Sequence, residues 1–142
     1  MIGSLQRPTA TPTEKPRILL AEDDNELRNL LSFVLKEDGY DVVEARDGSE
    51  LLDRLEYTTL RQDDVASYNL IISDIRMPGY SGLEILAALR SMLWHTPVIL
   101  ITGFGDQATH ELATLLGARS VFDKPFDVDD LRAAVVKVLA GR

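Results

Sequence analysis

The chain has 142 residues, 45% of them hydrophobic and 27% charged, a composition that suits one globular domain burying roughly 70% of its unfolded surface and leaves no room for a second. A net charge of −8 and a pI near 4.7 argue against autonomous binding to nucleic acid or anionic membrane and favour protein or cation partners. The absence of cysteine excludes disulfides, thiolate zinc sites and thiol catalysis, and no stretch approaches the ~18–20 apolar residues of a membrane span, so a soluble cytoplasmic protein is expected.

Residues 1–16 have almost no apolar periodicity and several prolines, and read as a flexible tail ahead of a domain over 17–142. Arg17-Ile18-Leu19-Leu20-Ala21 then forms a short apolar strand that ends in three acids, Glu22, Asp23 and Asp24. Asp24 suits the N-cap of a helix whose apolar positions are Leu27, Leu30, Leu31, Val34 and Leu35, closed by Gly39. One acid is enough for a cap, so Glu22 and Asp23 are in excess. Asp41 to Ala45 alternates weakly, as a strand near a sheet edge does, and a short helix carrying Leu51, Leu52 and Leu55 follows. From Tyr57 to Tyr68 the pattern dissolves, either extending that helix or forming a variable excursion.

Leu70-Ile71-Ile72-Ser73-Asp74 reads as a strand buried on both faces that stops at a carboxylate, followed by Ile75-Arg76-Met77-Pro78-Gly79. Ser81 offers a cap to a helix with Leu83, Leu86 and Ala87 on one stripe and Ile85 and Leu89 beside it, ending near Trp94. Val98 to Ile101 is again apolar throughout and delivers Thr102-Gly103. Asp106 caps a weaker helix with Leu112, Leu115 and Leu116, closed by Gly117. Val121-Phe122 is the last strand, delivering Asp123-Lys124-Pro125-Phe126. Asp127 with Asp130 resembles a capping box for a final helix that buries Leu131, Ala134, Val135 and Val138. Five alternations of strand and helix imply a parallel α/β sheet covered on both faces.

In such a sheet the C-terminal strand tips line the ligand crevice, and here they bring Glu22, Asp23, Asp74, Thr102 and Lys124 together. Three converging carboxylates repel one another unless a cation offsets them, and an all-oxygen set suits Mg²⁺, with Mn²⁺ a possible substitute. Lys124 and Thr102 add a compact cation and a hydroxyl donor able to neutralise phosphoryl oxygens, with Asp74 as the nucleophile. His95 and His110 lack a second ligand at metal-binding spacing and receive no role.

The motifs Leu-Leu-Ala-Glu-Asp-Asp, Ile-Ser-Asp-Ile-Arg-Met-Pro-Gly, Ile-Thr-Gly and Asp-Lys-Pro-Phe, in this order, resemble the receiver domain of two-component response regulators from Arg17 to about Leu139. The resemblance implies a flavodoxin-like (βα)5 fold with a five-stranded parallel sheet in the order 2-1-3-4-5. It implies that Asp74 accepts a phosphoryl group from a sensor histidine kinase, a phosphotransfer protein or a small phosphodonor. Asp23 then binds Mg²⁺ directly, Glu22 acts mainly through bound water, and the Arg76 carbonyl adds a ligand. Thr102 and Lys124 hold the phosphoryl oxygens, and their movement repacks the face made by the fourth helix, fifth strand and fifth helix to engage a downstream protein or an output domain. Lys124-Pro125 is expected to be cis.

The chain departs from the family at Val121, where an aromatic residue commonly stands three positions before the lysine. Phe122 is no replacement, because alternation points it to the other face. Three rival readings fit the residues less well. A flavin carrier would want hydroxyls and glycine in the first turn, and a hydrolase would want an acid at position 76. A degenerate receiver serving only as an interaction module would have lost at least one of the five site residues.

Overall fold

The structure is a computed structural model that describes residues 15–61, 68–103 and 105–141. The expected tail lies almost wholly outside them. Five strands, β1 (Arg17–Ala21), β2 (Asp41–Ala45), β3 (Leu70–Asp74), β4 (Val98–Thr102) and β5 (Ser120–Asp123), alternate with five helices. The helices are α1 (Asn25–Glu37), α2 (Gly48–Arg61), α3 (Gly82–Ser91), α4 (Gln107–Leu115) and α5 (Val128–Ala140). All four pairings are parallel, and the order β2-β1-β3-β4-β5 is the expected 2-1-3-4-5. Of the segment from Tyr57 to Tyr68, the part through Arg61 continues α2, and residues 62–67 lie outside the described residues.

Strand alternation divides the core in two. Leu19, Ile71 and Leu100 point to one face, where α2, α3 and α4 cover them with Leu51, Leu55, Ile85, Leu86, Leu89 and Ala113. Ile18, Ile72, Ile99 and Ile101 point to the other, under α1 and α5 with Leu31, Leu35, Leu131, Val135 and Val138. Successive residues of β1, β3 and β4 therefore face opposite halves of the core, which is why Ile18–Ala21, Leu70–Ile72 and Val98–Ile101 read as unbroken apolar runs.

The buried stripes of three helices differ from the expected ones. In α1 it is Arg28, Leu31, Ser32 and Leu35, while Leu30 is exposed. In α3 it is Ile85, Leu86 and Leu89, with Ala87 turned to solvent, and the helix ends at Ser91. In α4 only Ala113 is buried, and Leu115 is 83% exposed. The capping box expected for α5 does not form: the Asp127 side chain accepts the Asp129 N–H, and the Asp130 N–H goes to the Asp127 carbonyl. A reciprocal box does form in α3, between Ser81 and Glu84. Gly39 and Gly117 end α1 and α4 with φ of +98° and +92°, the left-handed conformation that favours glycine.

Gly48, the first residue of α2, ties that helix to the loop after Asp74. Its N–H donates to the Pro78 carbonyl at 3.0 Å, and a Cβ there would run into the Tyr80 backbone. Alanine raises helix propensity by about 1 kcal/mol, but a main-chain neighbour cannot swing aside as a side chain can. G48A is therefore expected to lose about 1–3 kcal/mol in urea denaturation. Parental stability would mean that the loop yields without cost.

Candidate active site at the strand tips

The sheet register assembles the site. Ala21 pairs with Ser73 and Asp74 with Ile101, so residues 22, 74 and 102 emerge together at the C-terminal edge. The Lys124 N–H donates to the Thr102 carbonyl at 2.7 Å, one step beyond the Thr102–Asp123 pair, and carries the ammonium to the same edge. The Lys124–Pro125 peptide is cis. Glu22, Asp23 and Asp74 offer carboxylate oxygens within 4.8 Å of one another. Glu22 is 0%, Thr102 1% and Asp74 4% exposed, whereas Asp23 is open to solvent.

Lys124 is the cation of this cluster, with Nζ 2.8 Å from Asp74 Oδ2. The same Nζ stands 3.0 Å from Glu22 Oε1 and 3.2 Å from Oε2, but only Oε2 has hydrogen-bond geometry. Oε2 also accepts the Asp24 N–H at 3.0 Å, while Oε1 is buried with no hydrogen bond. Asp74 Oδ1 accepts the Arg76 N–H at 3.3 Å. Burial lowers the affinity of Lys124 for its proton, but its bonds and charge attraction to Asp74 and Glu22 outweigh that and raise its pKa.

Glu22 bears the cost. Burial first, with the charge and hydrogen bonding of Asp74 added, pushes its carboxyl from 4.5 to about 7 against the lowering effects of the Asp24 N–H and Lys124. Below about 4.5 the group is protonated in both folded and unfolded chains. Between there and about 7 the folded chain keeps a proton that the unfolded chain has released. Without divalent cation, stability should therefore fall as pH rises through this window, by at most about 3 kcal/mol, and then level off. Urea titrations in chelator at several pH values measure the slope, and E22Q should remove it. An unchanged slope in E22Q would assign it to other groups.

An all-oxygen donor set with one buried carboxylate oxygen that lacks a hydrogen bond fits a hard divalent cation of the Mg²⁺ type. Residues 18–136 match the family described as the response regulator receiver domain. The chain belongs to that family.

Among curated relatives, this receiver is 37% identical over 123 residues to the transcriptional regulatory protein CpxR of Escherichia coli strain K12, covering 87% of this chain and 49% of CpxR. It is 34% identical over 123 residues to sporulation initiation phosphotransferase F of Bacillus subtilis strain 168, covering 87% and 93% of the two chains. The chain thus spans about half the length of CpxR and most of the Bacillus protein. Among solved structures it resembles the response regulator TrrA of Thermotoga maritima in complex with Mg²⁺-BeF, at 32% identity and a TM-score of 0.73 over 87% of this chain and 99% of that one.

In this receiver Val121 is half-buried against the α2-α3-α4 side and Phe122 packs on the α1-α5 side, its ring 5.8 Å from that of Phe126. The alternation expected from sequence therefore holds. Two polar arrangements near the site were not foreseen. His110 Nε2 lies 2.8 Å from Asp123 Oδ1, tying α4 to the residue before Lys124, with Gly105 in the space beneath, where any Cβ would collide with the Asp123 carboxylate. Arg28, on the first turn of α1, is buried behind Glu22. Arg28, Leu31, Ser32 and Leu35 share one helical stripe, but two of the four are polar, so hydrophobic periodicity does not mark it as the buried face.

Proposed function

We propose that this receiver takes a phosphoryl group onto Asp74 from a histidine kinase, a phosphotransfer protein or a small phosphodonor, and so switches a protein-binding face. The observation that carries the reading is a nearly buried Asp74 whose Oδ2 is paired with Lys124 at 2.8 Å, within a three-carboxylate cluster. A carboxylate oxygen of Asp74 attacks phosphorus, forming the O–P bond as the bond to the donor's nitrogen or oxygen breaks, and the donor departs with that electron pair. Lys124 and Thr102 would offset charge on the phosphoryl oxygens with an ammonium and a hydroxyl donor. Glu22, Asp23, Asp74 and the Arg76 carbonyl would hold Mg²⁺, or Mn²⁺ in its place. When bound, the ion supplies Lewis-acid charge neutralisation of the transferring group.

The role is regulatory. Any self-phosphorylation from a small donor and any autodephosphorylation would use these same residues. The degenerate-receiver alternative is not favoured, since all five positions hold competent side chains. An output domain or a separate downstream protein would receive the signal, and a cytoplasmic location accords with a cysteine-free sequence. Among the described residues no helix is long and apolar enough to cross a membrane. Incubating the full chain with acetyl phosphate and Mg²⁺ tests the reading. Mass spectrometry should find one phosphoryl group, on the peptide carrying Asp74, and a chain that stays unmodified would sink it.

A further inference from the structure

We propose that Arg28 is a positioning residue for the metal-binding acids, acting through the peptide bond that joins them; the inference rests on the Mg²⁺ site proposed above. Arg28 is 8% exposed although it lies in the first turn of an otherwise solvent-facing part of α1. Its Nη1 donates to the Glu22 carbonyl at 2.8 Å, its Nη2 to Asn25 Oδ1 at 2.7 Å and its Nε to Glu44 Oε1 at 3.2 Å. Ser32 Oγ donates to Glu44 Oε2 at 3.1 Å, so the carboxylate that anchors the guanidinium is itself held by α1.

The Glu22 carbonyl belongs to the planar unit between Glu22 and Asp23. Fixing that plane restricts ψ of Glu22 and φ of Asp23 together, and these are the dihedrals that aim the two carboxylates. From the other side of the same residue, the Glu22 N–H donates to the Ala45 carbonyl at 3.1 Å. Asp23 is exposed, so its direction depends strongly on the backbone that Arg28 grips. The guanidinium fork spreads its donors over Nε, Nη1 and Nη2 and so reaches three separated acceptors in one fixed plane, whereas an ammonium gathers its three donors on a single atom and cannot span them.

Calorimetric titration of the full chain with Mg²⁺ alone, well below the unfolding temperature, tests this. The parent should bind and D23N should not. R28M should bind about tenfold or more weakly, the loss typical when a group that orients a ligand is removed. R28K keeps the charge but not the fork and should remain several-fold weaker than the parent, and E44Q should weaken binding in the same direction. L35A, a core truncation on the same helix, should lower stability while leaving the dissociation constant unchanged. If R28M does not fold, R28K and E44Q decide. Parental affinity in the folded Arg28 and Glu44 variants, or an equal loss in L35A, overturns the inference alone. A parent that does not bind Mg²⁺ overturns the metal site first and the inference with it.

Discussion

D74N is expected to abolish phosphorylation from acetyl phosphate, to below about one hundredth of the parental rate, while the chain stays folded. The amide nitrogen and carbonyl of asparagine cannot supply the carboxylate nucleophile, and no other described acid occupies the same place. Glu22 is buried against Lys124 and Asp23 faces solvent. The fold should tolerate the change because two effects oppose each other. The variant loses a charge-assisted bond from Lys124, but it also removes the charge that raises the Glu22 carboxyl. Phosphoprotein gel mobility with mass spectrometry gives the rate, and thermal unfolding gives the fold. A D74N chain that accepts phosphate at the parental rate would move the acceptor elsewhere.

The largest expected change in stability comes from K124M, which keeps the aliphatic stem and deletes the ammonium. Glu22 and Asp74 would then be buried without their cation, a situation that costs about 3 kcal/mol, near the lower end for buried pairs because Lys124 itself is partly exposed. The loss should appear at neutral pH in chelator and shrink as pH falls and the acids take up protons. Mg²⁺ should stabilise K124M more than the parent, since the ion becomes the main counter-charge, and it acts by binding the folded state. Denaturation with and without Mg²⁺ at two pH values separates these effects. Parental stability of K124M in chelator would show that solvent already screens the acids.

Strand existence was legible because a doubly covered sheet demands apolar residues on both faces, and Leu19-Leu20, Ile71-Ile72 and Ile99-Leu100 announce that demand, whereas the strand order came only from the resemblance to receiver domains. The strand-tip acids, Thr102 and Lys124 were legible for the opposite reason, since they are polar residues at the ends of apolar strands, where the crevice lies. Helix faces were less so. Leu30, Leu112 and Leu115 fit a helical period as well as Arg28 or Ala113 does, and hydrophobicity alone ranks the leucines first. A buried arginine becomes rational only once Glu44, sixteen residues away on β2, is seen beside it. Non-local partners of this kind leave no periodic trace.

The bond from the Lys124 N–H to the Thr102 carbonyl makes the hydroxyl and the ammonium two teeth of one jaw. Neither main-chain segment can advance toward the Asp74 carboxylate without drawing the other or breaking the rung between them. The His110–Asp123 contact hangs α4 on the same hinge pin, one residue before the lysine. With valine at position 121, where the family commonly has an aromatic residue, a main-chain bond and one imidazole tie the strand tips of β4 and β5 to α4.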